Sequence, residues 1–158
     1  MLAIDLLRWL HVIGACVLLG TGAGIAFFML MAHRSGDARA IAHVAGTVVT
    51  ADLVFTATAV LLQPMTGGAL AWIEGYPLTH GWLLLALGLY LVTGLFWLPV
   101  VWIQARMRNL ARLAAAKNEA LPQLYHRLFA LWFSCGIPAF TAVLAILWLM
   151  LTKPDLPF

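Results

Sequence analysis

The sequence predicts an all-α integral membrane protein: a four-helix bundle with both termini on the periplasmic side. Three observations lead there. The 158-residue chain is 64% hydrophobic and only 9% charged, it holds four apolar runs long enough to cross a bilayer, and its cations cluster in two of the three gaps between those runs. Soluble domains carry about 25% charged residues and about half apolar ones. The mean hydropathy of +0.98 agrees with a chain that lies mostly in lipid. Its length allows one compact domain and no separate soluble module. A net charge of +3 could suggest nucleic acid. The cations lie in short gaps between apolar spans, however, which membrane topology explains and nucleic-acid binding does not.

A crossing helix needs about 20 predominantly apolar residues. Four spans meet this, at residues 4–31, 41–62, 81–104 and 128–151. Arg34, Asp37 and Arg39 break the first gap. The second gap, from Gln63 to His80, is rich in Gly, Pro and aromatic residues and has no Lys or Arg. The third holds Arg106, Arg108, Arg112, Lys117 and, beyond Pro122, Arg127. No helix breaker lies between Asn109 and Ala116, so the third helix is expected to run on past its span. Seven of the nine cations fall in the first and third gaps, leaving only Arg8 and Lys153 on the other side. The positive-inside rule then puts both termini outside the cytoplasm. Trp72, Tyr76 and Trp82 gather around the outer gap as an interfacial aromatic belt. The first span lacks a basic n-region and a small-residue cleavage site, and is read as retained.

Within the spans, Gly20 and Gly24 form a small-xxx-small pair suited to close helix approach. Cys16 and Cys135 read as buried, inert thiols. Pro99 and Pro138 each remove a backbone hydrogen bond inside a span, freeing the carbonyls of Leu95 and Ser134. Gln104 is expected at the cytoplasmic headgroups, close to Trp97 and Trp102.

The ionisable residues inside the spans carry the functional reading, because each costs a few kcal/mol to insert, about 2.5–3.5 for a charged side chain. His11 lies about two turns into the first span, beside Gly14 and Ala15. It can be a satisfied packing residue or the ligand of a flat cofactor. Haem iron in helical bundles is commonly held by imidazoles that project inward. His80 opens the third span on the same side, so a haem held by His11 and His80 is topologically allowed. His43 and His126 form a second candidate pair near the cytoplasmic ends, although interfacial histidines need no ligand. His33 reads as interfacial. Asp52 lies near the middle of the second span, with Thr56 and Gln63 on its helical face. That stripe reads either as a packing element or as the lining of an outward-opening cavity with Asp52 as proton acceptor at its base.

Several segments together resemble a known bacterial family. They are Leu10-His11-Val12-Ile13-Gly14, Gln63-Pro64-x-x-Gly67, Trp97-Leu98-Pro99-Val100-Val101-Trp102-x-Gln104, Gly136-Ile137-Pro138-Ala139-Phe140 and Leu149-Met150-Leu151-Thr152-Lys153-Pro154. The family is the integral membrane domain of unknown function 2269, and the resemblance covers almost the whole chain. More distantly the chain is similar to HemJ-type protoporphyrinogen oxidases and to the membrane part of CopD copper-resistance proteins. That likeness implies a bacterial inner-membrane protein with haem b on His11 and His80. Gly81, Trp82 and Leu83 follow His80, where HemJ-like proteins place a lysine, so porphyrinogen oxidation is not carried over.

The expectation is therefore a haem b-binding redox protein with an outward-facing polar cavity. His11 and His80 would ligate the iron, Thr56 and Gln63 would line the site, and Asp52 would accept a proton beside it. The partners to expect are lipid, a quinone or another membrane redox protein, and a second copy of the chain, with no nucleic acid. Two alternatives stand beside this reading: a small transporter or permease subunit built on Asp52, and a non-catalytic accessory subunit of a membrane complex.

Overall fold

A computed structural model describes residues 2–157. Among the described residues four helices make up the fold: α1 (Leu2–Ser35), α2 (Ala38–Glu74), α3 (Gly81–Lys117) and α4 (Gln123–Thr152). All four are long and apolar enough to cross a membrane. Short, chemically marked turns join them. Gly36 sits at φ +66° before α2, whose N-cap Asp37 accepts a hydrogen bond from the Arg39 amide at 2.9 Å. Gly75, at φ +76°, closes α2, and the Tyr76 amide donates back to the Ala71 carbonyl at 2.9 Å. A left-handed residue there caps the helix and satisfies its last carbonyls.

The second helix departs from expectation. It runs on past Leu62, straight through Pro64, to Glu74, where the Gly and Pro content had suggested a loop. Pro64 has no N–H to give the Val60 carbonyl four residues earlier, and the Tyr90 hydroxyl of α3 donates to that carbonyl instead. Such outside donors are what allow proline inside a spanning helix. Pro99 and Pro138 likewise lie inside continuous helices. As expected, α3 continues well beyond its apolar span.

A π-helical turn, Asp52–Thr56, interrupts α2, and the Ala57 amide bonds back to the Asp52 carbonyl five residues earlier. One extra residue in a helix turns everything beyond it by about 100°. Residues before the turn and residues after it therefore address different neighbours. The first half of α2 packs on α3, while α1 leans on both halves; α3 and α4 form the most extensive contact, and α1 meets α4 only over a small area.

Two apolar cores result. The larger lies toward the basic loops, where Met29, Ile41, Ile103, Met107 and Tyr125 are almost wholly enclosed. The smaller, at the end carrying both termini, joins Ala71, Trp82, Leu83, Ala86 and Leu149. Large side chains such as Leu61, Leu91 and Leu95 point outward. Lipid tails are as apolar as these groups, so packing and hydrogen bonds, not the hydrophobic effect, hold the helices together there. Gly20 does not serve the close helix approach expected of it: a Cβ built there meets nothing within 4 Å, and one at Gly24 meets only Phe28 of the same helix. Cys16 is exposed rather than buried, Cys135 is half-buried, and both are free thiols.

Candidate functional site

Asp52 is buried at the start of the π turn. Its Oδ1 accepts a hydrogen bond from Trp97 Nε1 at 3.2 Å. With the Gln104 amide turned so that its NH2 faces the carboxyl group, Gln104 donates to Asp52 Oδ2 at 3.2 Å and accepts from Trp132 Nε1 at 3.1 Å. One carboxyl group thus ties α2, α3 and α4 together through two indoles and an amide. None of these partners titrates, so Asp52 can take up or lose a proton without a neighbour changing charge. Thr56 Oγ1, at the far end of the same turn, is buried with no hydrogen-bond partner among the described residues. Gln104, expected at the headgroups, is buried in this network; the need of Asp52 for a donor outweighs solvation of the amide.

A second polar cluster forms where α1 meets the far half of α2. Gln63 Nε2 donates to the His11 carbonyl at 2.8 Å, over Gly14, where a Cβ would lie 2.5 Å from the amide nitrogen. The His11 ring rests on Gly67, at which a Cβ would come within 3.0 Å of the ring. His11 Nδ1 is 2.8 Å from Thr66 Oγ1. The Thr66 hydroxyl has a single proton, and besides His11 it faces the Leu62 carbonyl at 2.8 Å and the Gln63 carbonyl at 3.2 Å. In the tautomer with its proton on Nδ1, His11 donates to Thr66, which donates onward to one of those carbonyls; in the other tautomer Thr66 donates to Nδ1. Nε2 makes no hydrogen bond among the described residues, and in the first tautomer it keeps its lone pair.

The expected stripe of Asp52, Thr56 and Gln63 is split by the π turn. Asp52 addresses α3, whereas Gln63 addresses α1. Asp52 does not sit beside His11 either. Its separation from Thr66 along α2 is about 20 Å at 1.5 Å per residue.

His80 precedes α3 as its N-cap residue. Its ring lies 6.0 Å from that of Tyr76 and 6.1 Å from that of Trp82, rather than against His11. Its Nδ1 is enclosed without a partner among the described residues. Of the candidate pair His43 and His126, the His126 ring instead meets His33, at 5.7 Å between centroids. His33 itself stacks on Phe129 at 3.6 Å, so it is packed as well as interfacial. At the end carrying the termini, Glu74 Oε1 accepts from Arg8 Nη2 at 2.8 Å, and Glu74 Oε2 lies 3.6 Å from Lys153 Nζ. This clasp joins the ends of α1, α2 and α4. Among the described residues no three His, Cys, Asp or Glu side chains gather closely enough to hold a bare metal ion.

Sequence reasoning missed Thr66, Trp132, Tyr90 and Glu74. The signals were there in part. Glu74 is the sole acid in a gap flanked by the only two cations on that side, and Thr66 lies three residues past Gln63. Trp132 carried no signal of its own.

Four spanning-length helices with polar clusters enclosed between them define an integral membrane helical bundle. The model of one family, described as a predicted integral membrane protein of domain of unknown function 2269, matches residues 5–154. The chain belongs to that family. No curated protein and no solved structure matches it.

Proposed function

We propose that this is a bacterial inner-membrane redox protein that holds a b-type haem through His11, with its termini in the periplasm. The observation that carries the reading is the state of the His11 ring. In the tautomer that donates from Nδ1 to Thr66, an unshared pair is left on Nε2 within an apolar span. A metal-binding histidine is almost always oriented this way, by a hydrogen bond from its second nitrogen. Gly67 adds support, since only the absence of a side chain there lets the His11 ring lie against α2, and Gly14 likewise admits the Gln63 amide that holds the His11 carbonyl. His11 therefore fits an axial ligand. The second ligand is less well served, because His80 is packed with Tyr76 and Trp82 away from His11. A haem bound here would supply one-electron chemistry, and a membrane quinone or another redox protein would be its exchange partner. Thr66 orients the imidazole, Gln63 braces the backbone at His11, and Asp52 is a separate proton-holding group further along α2. The seven cations at the opposite end of the bundle support periplasmic termini.

The test is the visible spectrum of protein purified in mild detergent after expression with ample haem supply, with and without dithionite. The reading expects a Soret band that sharpens and shifts on reduction, and its loss in His11→Ala. A featureless spectrum would sink it.

A second reading is favoured by a different observation, the buried Asp52 network at the π turn. Such turns are frequent at functional sites, and intramembrane carboxyl groups mark proton and ion pathways. A small transporter or permease subunit would use Asp52 as its coupling group. Proton-dependent uptake by reconstituted vesicles, abolished in Asp52→Asn, is its signature. An accessory subunit would instead copurify with a larger complex in fixed ratio.

A further inference from the structure

On the basic side of the bundle an open groove of about 780 Å³ runs along α2, bordered by Arg112 of α3. Its floor is Gly46, where an added Cβ would lie 3.3 Å from Arg112 Nη2. The missing side chain lets the guanidinium lie over the helix. Thr47 and Thr50 spend their hydroxyl protons on the carbonyls of His43 and Gly46, so the wall beyond the guanidinium has little left to donate. The far end is Val54 and Phe55, both exposed. The groove is thus cationic at one end and apolar at the other.

The charge of Arg112 is uncompensated. Arg39 donates to Asn118 and Arg108 to Asn109, whereas Arg112, like Arg34, Arg106, Lys117 and Arg127, has neither an ion pair nor a hydrogen-bond partner among the described residues, and of these it is the one that lines the groove. No Asp or Glu lines the groove. From His43 to Phe55 the helix rises about 18 Å, close to the ~15 Å of a single hydrocarbon leaflet. Polarity, length and uncompensated charge all match one amphiphile. We propose that the groove binds one anionic glycerophospholipid, its phosphate on Arg112 and His43 and an acyl chain laid over Thr50 and Ala51 toward Phe55. Basic pockets between spanning helices recognise lipid headgroups in this way. The proposal does not depend on what His11 or Asp52 bind.

Native mass spectrometry of the full chain, released from detergent containing equimolar phosphatidylglycerol and phosphatidylcholine, tests it. The wild type should retain a single phosphatidylglycerol with about fivefold preference, the factor corresponding to about 1 kcal/mol for a basic residue near a lipid surface. Arg112→Gln should bring the preference to unity. Gly46→Leu should lower total lipid retention, and Arg108→Gln, one turn away, should change neither. Equal retention of the two lipids by the wild type overturns the proposal. So does a preference that survives Arg112→Gln, or that falls equally in Arg108→Gln. Displacement of the lipid by equimolar inorganic phosphate would likewise overturn it, showing a site for the free anion.

Discussion

Replacing Gln104 by Met removes the amide that bridges Asp52 and Trp132 while nearly preserving side-chain volume. Two buried hydrogen bonds disappear, one to Asp52 Oδ2 and one from Trp132 Nε1. Interhelical hydrogen bonds in membranes average about 0.6 kcal/mol and reach about 1.7. The expected loss is therefore about 1–3 kcal/mol, toward the upper end if Asp52 is left with an unmatched charge. Trp132→Phe removes only the indole end of the chain, and its cost should lie below that of Gln104→Met. The decisive quantity is the coupling. If the amide links the two groups, the double variant costs less than the sum of the single ones by more than the ~0.5 kcal/mol expected of independent sites. Unfolding in mixed micelles, followed by tryptophan fluorescence and far-ultraviolet dichroism, measures all four corners of the cycle. Additivity within about 0.3 kcal/mol would refute the bridge.

Three further outcomes are expected. Tyr90→Phe should destabilise the wild type by about 1 kcal/mol by leaving the Val60 carbonyl unpaired, and far less in a Pro64→Ala background, where the restored amide can take that carbonyl. Equal losses in the two backgrounds would show that the hydroxyl does not stand in for the missing N–H. Gly67→Ala should push the His11 ring off its seat and weaken its bond to Thr66, with little effect on the Asp52 network. Histidine proton chemical shifts would report this, and an unmoved His11 resonance would count against the packing described. Glu74→Gln should cost only about 0.2–1 kcal/mol, because Arg8 and Lys153 are substantially solvated. The loss should shrink as salt is raised, so a salt-independent loss would point away from the ionic clasp.

Much of the fold was legible because the bilayer imposes it. Apolar runs of spanning length admit few structures other than helices, and the cations separated the two ends of the bundle. The length of α2 was not legible. Pro64, Gly67 and Gly68 carry every local mark of a loop, and the donor that replaces the missing Pro64 amide comes from a distant residue, Tyr90. The polar residues were found singly but grouped wrongly. Asp52, Thr56 and Gln63 share a face of a regular helix, and no residue in Asp52–Thr56 announces the extra one that separates them. His11 was recognisable from its depth, whereas its tautomer depends on where Thr66 sends a proton. That is settled by three-dimensional neighbours and not by spacing. Gln104 was misplaced because a lone amide near a charged loop looks solvated until the carboxyl group it serves is known.

The π turn makes α2 a shaft with a coupling in it. Removing a single residue there, such as the exposed Val54, would let the hydrogen-bond ladder close as ordinary α-helix. Everything from Ala57 onward would then swing round by about 100°, carrying Thr66 and Gly67 away from His11 while Asp52 kept its indole and amide partners. Single-residue length changes at this point are thus a route by which one polar cluster can be retuned, or disconnected, in a single event without disturbing the other.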